Sequence, residues 1–354
     1  MPGTATDLKD ATEFGHPGSK WLRTLHQNGE LSADYRNDVA WLLSVASTWA
    51  YSDERTLGRV LDVCMGTVDV KPFDSENDAI LVETHGYLIQ SAVLPIDILV
   101  FRGTEFGGPT ITNILTDASV ATRPLPPGST AQVHGGFLRA LACVWHDILD
   151  LLDSRKNQDD DQRRLLYITG HSLGGALAAL AAGVLFGGID DEWLKNENKG
   201  ERLTLARWAL DPGNRLTRIP QRYTFCGLYT YGQPMVGTPD WVAGVSSTLS
   251  EHTYRHIFRN DWVPTVPPFE TGRFEHFGHE YWSGDLSTQW SEVKPPKTRQ
   301  SGLIGMLVAF IDFGKQQLPW TDRVHLPYSV ADHIPQNYLE VSRHGVDIAP
   351  VMFP

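Results

Sequence analysis

Residues 167–180 read YITGHSLGGALAAL. The apolar run LLYIT, 165–169, leads into this stretch and suits a buried parallel strand. The alanine-rich run ALAALAAGVLF, 176–186, leads out of it, and its small residues let a helix lie close against a sheet. Between the two, Gly170-His171-Ser172-Leu173-Gly174 fits the pattern G-x-S-x-G. A strand before and a helix after are the context that a strand–turn–helix elbow requires. Such a turn is tight enough to strain the backbone at Ser172. Side chains two positions before and after would collide, which explains glycine at 170 and 174, and Gly175 brings the helix against the sheet. Ser172 is thereby expected at a helix N-terminus, where the dipole favours developing negative charge. His171 should face away and is read as a satisfied core histidine, not a base.

Working outward, strand and helix alternate. Tyr35, Val39, Leu42, Leu43, Ala46, Trp49 and Ala50 recur at helical spacing. AILVETHGYLIQSAVLPIDILVFRG, 79–103, reads as three short strands broken at Gly86 and Pro95. In GGFLRALACVWHDILDLLD, 135–153, one apolar stripe marks a helix. SRKNQDDDQRR, 154–164, is a charged surface loop. RYTFCGLYTYG and TYRHIFR are further strands, with a helix near 238–249 between them. This order predicts an α/β fold with a mainly parallel sheet. Residues 1–30 read as an N-terminal tail, 31–354 as a single domain, and the polar segment 187–221 as an insertion.

The chain has 354 residues, 41% hydrophobic and 20% charged, values of a globular chain with enough length for a large core. A net charge of −12 argues against a nucleic-acid partner. Cys64, Cys143 and Cys226 are widely spaced with no CxxC, so neither a disulfide framework nor a zinc site is expected. The N-terminus has no apolar signal region, which favours a cytoplasmic chain over a secreted one whose leader was removed. Nothing approaches the roughly 18 apolar residues of a membrane span. GLIGMLVAFIDFG, 302–314, reads as a core helix in preference to a cap over a pocket.

A serine hydroxyl needs a base to take its proton and an acid to orient that base. In the order that accompanies this elbow, both follow the serine, acid first. Asp261 lies after TYRHIFR with Asn260 and Pro264 shaping a turn. Asp240 sits at a predicted helix start, where N-terminal charge accounts for it. His276, His279, His325, His333 and His344 are the histidines beyond Asp261. Fixed donors for an oxyanion would come from the Leu173 N–H and from Thr104, after the strand ILVFRG.

VFRGTE (100–105), VHGGF (133–137), ITGHSLGGALAAL, YTYGQPMVG (229–237) and NDWVPTVPP (260–268) occur in the order seen in class 3 lipases. The chain resembles these fungal-type triacylglycerol lipases over residues 35 to 343. The resemblance implies an α/β-hydrolase fold, no metal or cofactor, Thr104 in the oxyanion hole, and Asp261 as the acid of an Asp-x-Val-Pro motif. FEHFGHEYW resembles a segment on the substrate side, which sets His276 and His279 aside. DHIPQNYL resembles the family's histidine with a nearby tyrosine, so His333 is preferred as base, with His325 the alternative; His344 reads as a helix-end charge. The family's lid falls near 105–117, where Phe106, Ile111, Ile114 and Leu115 could form an amphipathic turn, or an ordinary surface helix. The expected function is serine carboxylic-ester hydrolysis of lipid esters at an oil–water interface, triacylglycerol first. Phospholipase A1, monoacylglycerol lipase, a feruloyl-type esterase and a soluble-ester carboxylesterase are alternatives. A non-catalytic interaction scaffold on the same fold is the alternative of a different class.

Overall fold

The computed structural model describes residues 34–77, 82–104, 122–125, 129–154, 163–187, 215–294, 329, 331–344 and 346. In chain order these form α1 (Asn37–Trp49), α2 (Glu54–Met65), β1 (Val68–Asn77), β2 (Val82–Ser91), β3 (Ile96–Phe101), β4 (Thr122–Pro124), β5 (Gln132–His134), α3 (Gly135–Ser154), β6 (Arg164–His171) and α4 (Leu173–Phe186). They continue as α5 (Arg215–Arg222), β7 (Tyr223–Tyr231), α6 (Pro239–Gly244), α7 (Ser247–Glu251), β8 (Thr253–Phe258), β9 (His279–Ser283), β10 (Ser291–Val293) and α8 (Pro335–Arg343).

Eight strands form one sheet in the order β1-β2-β3-β6-β7-β8-β9-β10; β4 and β5 pair separately. The centre from β3 to β9 is parallel, and the two margins are antiparallel. β3 shows why the sheet needs cover on both faces. Ile96, Ile98 and Val100 pack with α1 and α2, while Leu99 and Phe101 pack with α3 and α4. The α3 stripe is as the spacing predicts: Phe137, Leu138, Leu141, Val144, Trp145, Ile148 and Leu152 are buried. In α4 every residue from Leu173 to Leu185 is buried, so its alanines and glycines are set by close packing on more than one side.

Three local readings change. Gly86 does not break a strand: β2 runs through it, because the Phe73 ring of β1 lies over the position, where an added Cβ would come 2.3 Å from Phe73 Cζ. β1 itself carries no clean alternation and is found only by pairing. The helix expected near 238–249 is two short ones, restarted where the Ser246 hydroxyl accepts the Leu249 N–H. Of the segment read as an insertion, residues 188–214 lie outside the described residues, and α5 buries Ile219 in the core.

The bottom of the sheet is locked by charge. Arg164 of β6 donates to Asp97 of β3 at 2.6 Å and to the carbonyls of Ser91, Leu94 and Ile96. Tyr223 and Gln90 donate to the other Asp97 oxygen. Asp97 is fully buried, and its partners offset the loss of hydration. No described helix is long and apolar enough to cross a membrane.

Candidate active site

The site lies at the opposite, C-terminal edge of the parallel strands. β6 ends at His171, Ser172 turns, and α4 begins at Leu173. Ser172 has φ 58° and ψ −129°, a conformation that L side chains rarely adopt. The glycines around it are required by space. A Cβ on Gly170 would sit 2.4 Å from the Gly174 backbone, and one on Gly174 would sit 2.2 Å from the Phe101 carbonyl of β3. The Ser172 N–H donates to the Tyr231 carbonyl of β7, so the turn is pinned by its neighbouring strand.

Asp261 follows β8 in a turn closed by its N–H to the Phe258 carbonyl. It is 3% exposed, and three donors converge on its carboxylate. The Val263 N–H reaches Oδ1 at 2.9 Å. His333 Nδ1 reaches Oδ2 at 2.6 Å, and the Tyr338 hydroxyl donates to the same oxygen. Burial, then the Asp261 charge, pushes the Tyr338 phenol well above its usual range, so it stays a donor. Gly232, just past β7 at φ +60°, closes the contact: a Cβ there would lie 2.7 Å from His333 Nδ1 and 2.8 Å from Asp261 Oδ2.

His333 is delivered by a separate strap. The Ser329 N–H donates to the Asn260 carbonyl, and the Asn260 N–H donates to Asp332 Oδ2 at 3.2 Å. His171 Nε2 meets the His333 carbonyl at 2.8 Å, its Nδ1 meets the Tyr51 hydroxyl at 2.9 Å, and the two imidazoles lie 4.6 Å apart. Burial first, and the neighbouring His333 second, hold His171 well below the usual histidine range. It is a neutral core histidine, as its sequence position suggests.

Asp261 and His333 are thus in direct contact, and Ser172, just past β6, lies on the same edge of the sheet as Asp261, just past β8. Leu173 opens α4, where the first N–H groups lack intrahelical acceptors. Gly103 runs past the serine: a Cβ on it would come 3.2 Å from Ser172 Cβ, which puts Thr104 one residue beyond. The other histidines do not join. Half-buried His276 holds the Pro264 carbonyl, His279 pairs with Glu292, and His344 caps α8. Asp240 lies in the first turn of α6. His325, Phe106, Ile111, Ile114 and Leu115 lie outside the described residues, as does 302–314. Asp332 and Tyr51 were not singled out, and Tyr338 entered only as the tyrosine near His333. For Tyr338 the signal was its nearness to His333; Tyr51 and Asp332 give none in sequence. Burial raises the Cys64 and Cys226 thiols to about 12, so neither competes as a nucleophile.

A strained serine between a parallel strand and a helix, with an Asp past the end of β8 that a strap histidine contacts, fits an α/β-hydrolase. The lipase (class 3) family model matches residues 98–191 and 215–271. The chain is 28% identical over 248 residues to a lipase of Rhizomucor miehei, covering 70% of this chain and 58% of that protein. It is 31% identical over 213 residues to a Rhizopus niveus lipase, covering 60% and 45%. The structure of lipase II from Rhizopus niveus matches with a TM-score of 0.50 at 26% identity, over 70% of this chain and 81% of that one. The class 3 lipases are thus the family that the chain is similar to in sequence and in fold. Its matches span about half the length of these curated relatives.

Proposed function

We propose that the protein is a serine carboxylic-ester hydrolase acting on lipid esters, triacylglycerol first. The observation that carries this reading is the 2.6 Å contact of His333 Nδ1 with Asp261, set beside a strained Ser172. With Nδ1–H committed to the carboxylate, Nε2 is the nitrogen that takes the Ser172 proton. Ser172 Oγ then bonds the ester carbonyl carbon, and the carbonyl oxygen becomes an oxyanion facing the Leu173 N–H and Thr104. One such donor contributes about 3 kcal/mol to the barrier in comparable sites. Imidazolium returns its proton to the leaving alcohol, the C–O bond breaks, and water cleaves the acyl-enzyme by the same path.

The relatives named lipase support the lipid preference. The sequence of 105–117 supports an access role for Phe106, Ile111, Ile114 and Leu115. Three donors held on Asp261 favour catalysis over a scaffold role, since a scaffold gains nothing from an oriented base. The test is tributyrin hydrolysis taken through its solubility limit, with fluorophosphonate labelling alongside. Ser172→Ala should abolish both. A rate jump when droplets form marks a lipase; saturation below the limit marks a soluble-ester esterase. Folded wild-type chain that takes no label would overturn the serine mechanism.

A further inference from the structure

Tyr51 follows the end of α1, outside the residues matched by the family model, yet its hydroxyl reaches the centre of the site. It meets His171 Nδ1 at 2.9 Å, and a Cβ on Gly103 would come 2.2 Å from its oxygen. Arg102 lies over the Tyr51 ring at 5.8 Å. The next link is His171 Nε2 to the His333 carbonyl at 2.8 Å. Hydrogen-bond chemistry fixes every proton in this chain. A carbonyl only accepts, so Nε2 carries the hydrogen. Nδ1 of the neutral ring is then the acceptor, and Tyr51 donates to it.

We propose that Tyr51 and His171 are positioning residues that tie the Gly103–Thr104 loop, the Ser172 turn and the His333 turn into one unit. The proposal rests on the serine-hydrolase reading. Tyr51 selects the tautomer of His171, and that tautomer is the one able to hold the backbone of the base. His333 is thus held from both ends, its ring by Asp261 and its carbonyl by His171. Loss of the Tyr51 hydroxyl removes the donor to Nδ1 and allows the other tautomer, whose Nε2 lone pair faces the His333 carbonyl and repels it. The base then shifts relative to Ser172, and small displacements of a reacting group weaken catalysis steeply. Their effect on substrate binding should be small, because both act through the backbone and His333.

The experiment compares p-nitrophenyl butyrate kinetics for the full chain, Tyr51→Phe, His171→Leu and the double variant, with thermal unfolding of each. Tyr51→Phe should lower kcat about tenfold with KM within about twofold and Tm nearly unchanged. The double variant should be no slower than His171→Leu alone, because the two act as one unit. An unchanged kcat in Tyr51→Phe, a loss that tracks Tm, or losses that multiply would overturn the proposal. Nitrogen NMR of His171 in Ser172→Ala gives a reading independent of turnover. A single Nε2–H tautomer that becomes mixed when Tyr51→Phe is added supports the tie; a mixed tautomer with Tyr51 present overturns it. If wild type neither hydrolyses esters nor takes a fluorophosphonate, the hydrolase reading falls, and the NMR result alone decides the tie.

Discussion

On the Asp261 carboxylate three donors converge, and each can be removed singly. Asp261→Asn keeps the shape but offers Nδ1 a competing donor, so kcat should fall by about four orders of magnitude with KM little changed. Tyr338→Phe removes one buried donor and should cost about 1–2 kcal/mol, read as lost stability together with a smaller drop in kcat. A Tyr338→Phe chain as active and as stable as wild type would mean that this hydroxyl does not support the acid. Ser172 was legible because its requirements are local: glycines at fixed offsets between a strand and a helix. The acid was legible from chain order and a turn. Of the two histidines considered as base, His333 contacts Asp261, and His325 lies outside the described residues. Tyr51 could not have been found, since its role depends on a fold that brings it 120 positions along the chain to His171.

Elements were read well where they carry one strong period and poorly where a neighbour decides. The α3 stripe is buried except for Leu151, which is half-buried, whereas β1 and the unbroken course of β2 depend on Phe73 covering Gly86. The elbow makes the same point about space. A Cβ on Gly174 would come 2.2 Å from the β3 backbone, while one on Gly175 would come no nearer than 3.1 Å to Gln233 Cβ and the Gly170 carbonyl. Gly174→Ala should therefore destabilise by about 2–3 kcal/mol and impair turnover, with Gly175→Ala distinctly milder. Urea unfolding of the two variants measures the difference; equal losses would show that the helix can move away from the sheet. Pairing of β3 with β6 is guarded at its base by Asp97 and Arg164. Asp97→Ala should cost about 3–5 kcal/mol, because it leaves a largely buried guanidinium without its carboxylate.

Across the whole molecule, buried neutral histidines set the acid limit. His134 and His256 are lowered by burial from the ordinary 6.5 to about 3. The unfolded chain therefore binds more protons below 6.5. Stability from this source is complete above that pH and is lost as pH falls toward 3. Between pH 6 and 4 the two together should remove on the order of 5 kcal/mol. His134 Nδ1 accepts the N–H groups of Gly136 and Phe137 at the start of α3. His134→Asn keeps an acceptor there without a titrating group, and its unfolding free energy should fall less steeply with acid, by about 1.4 kcal/mol per pH unit. An unchanged slope would place the acid sensitivity elsewhere. The strap at Ser329, Asp332 and His333 has a different consequence. His333 lands on the Asn260–Asp261 turn, which holds it through its own contacts there. Evolution is then free to lengthen, shorten or replace the intervening stretch while the chemistry stays in register. Related enzymes can diverge there in whatever they recognise, and a designer can graft new recognition into the same place.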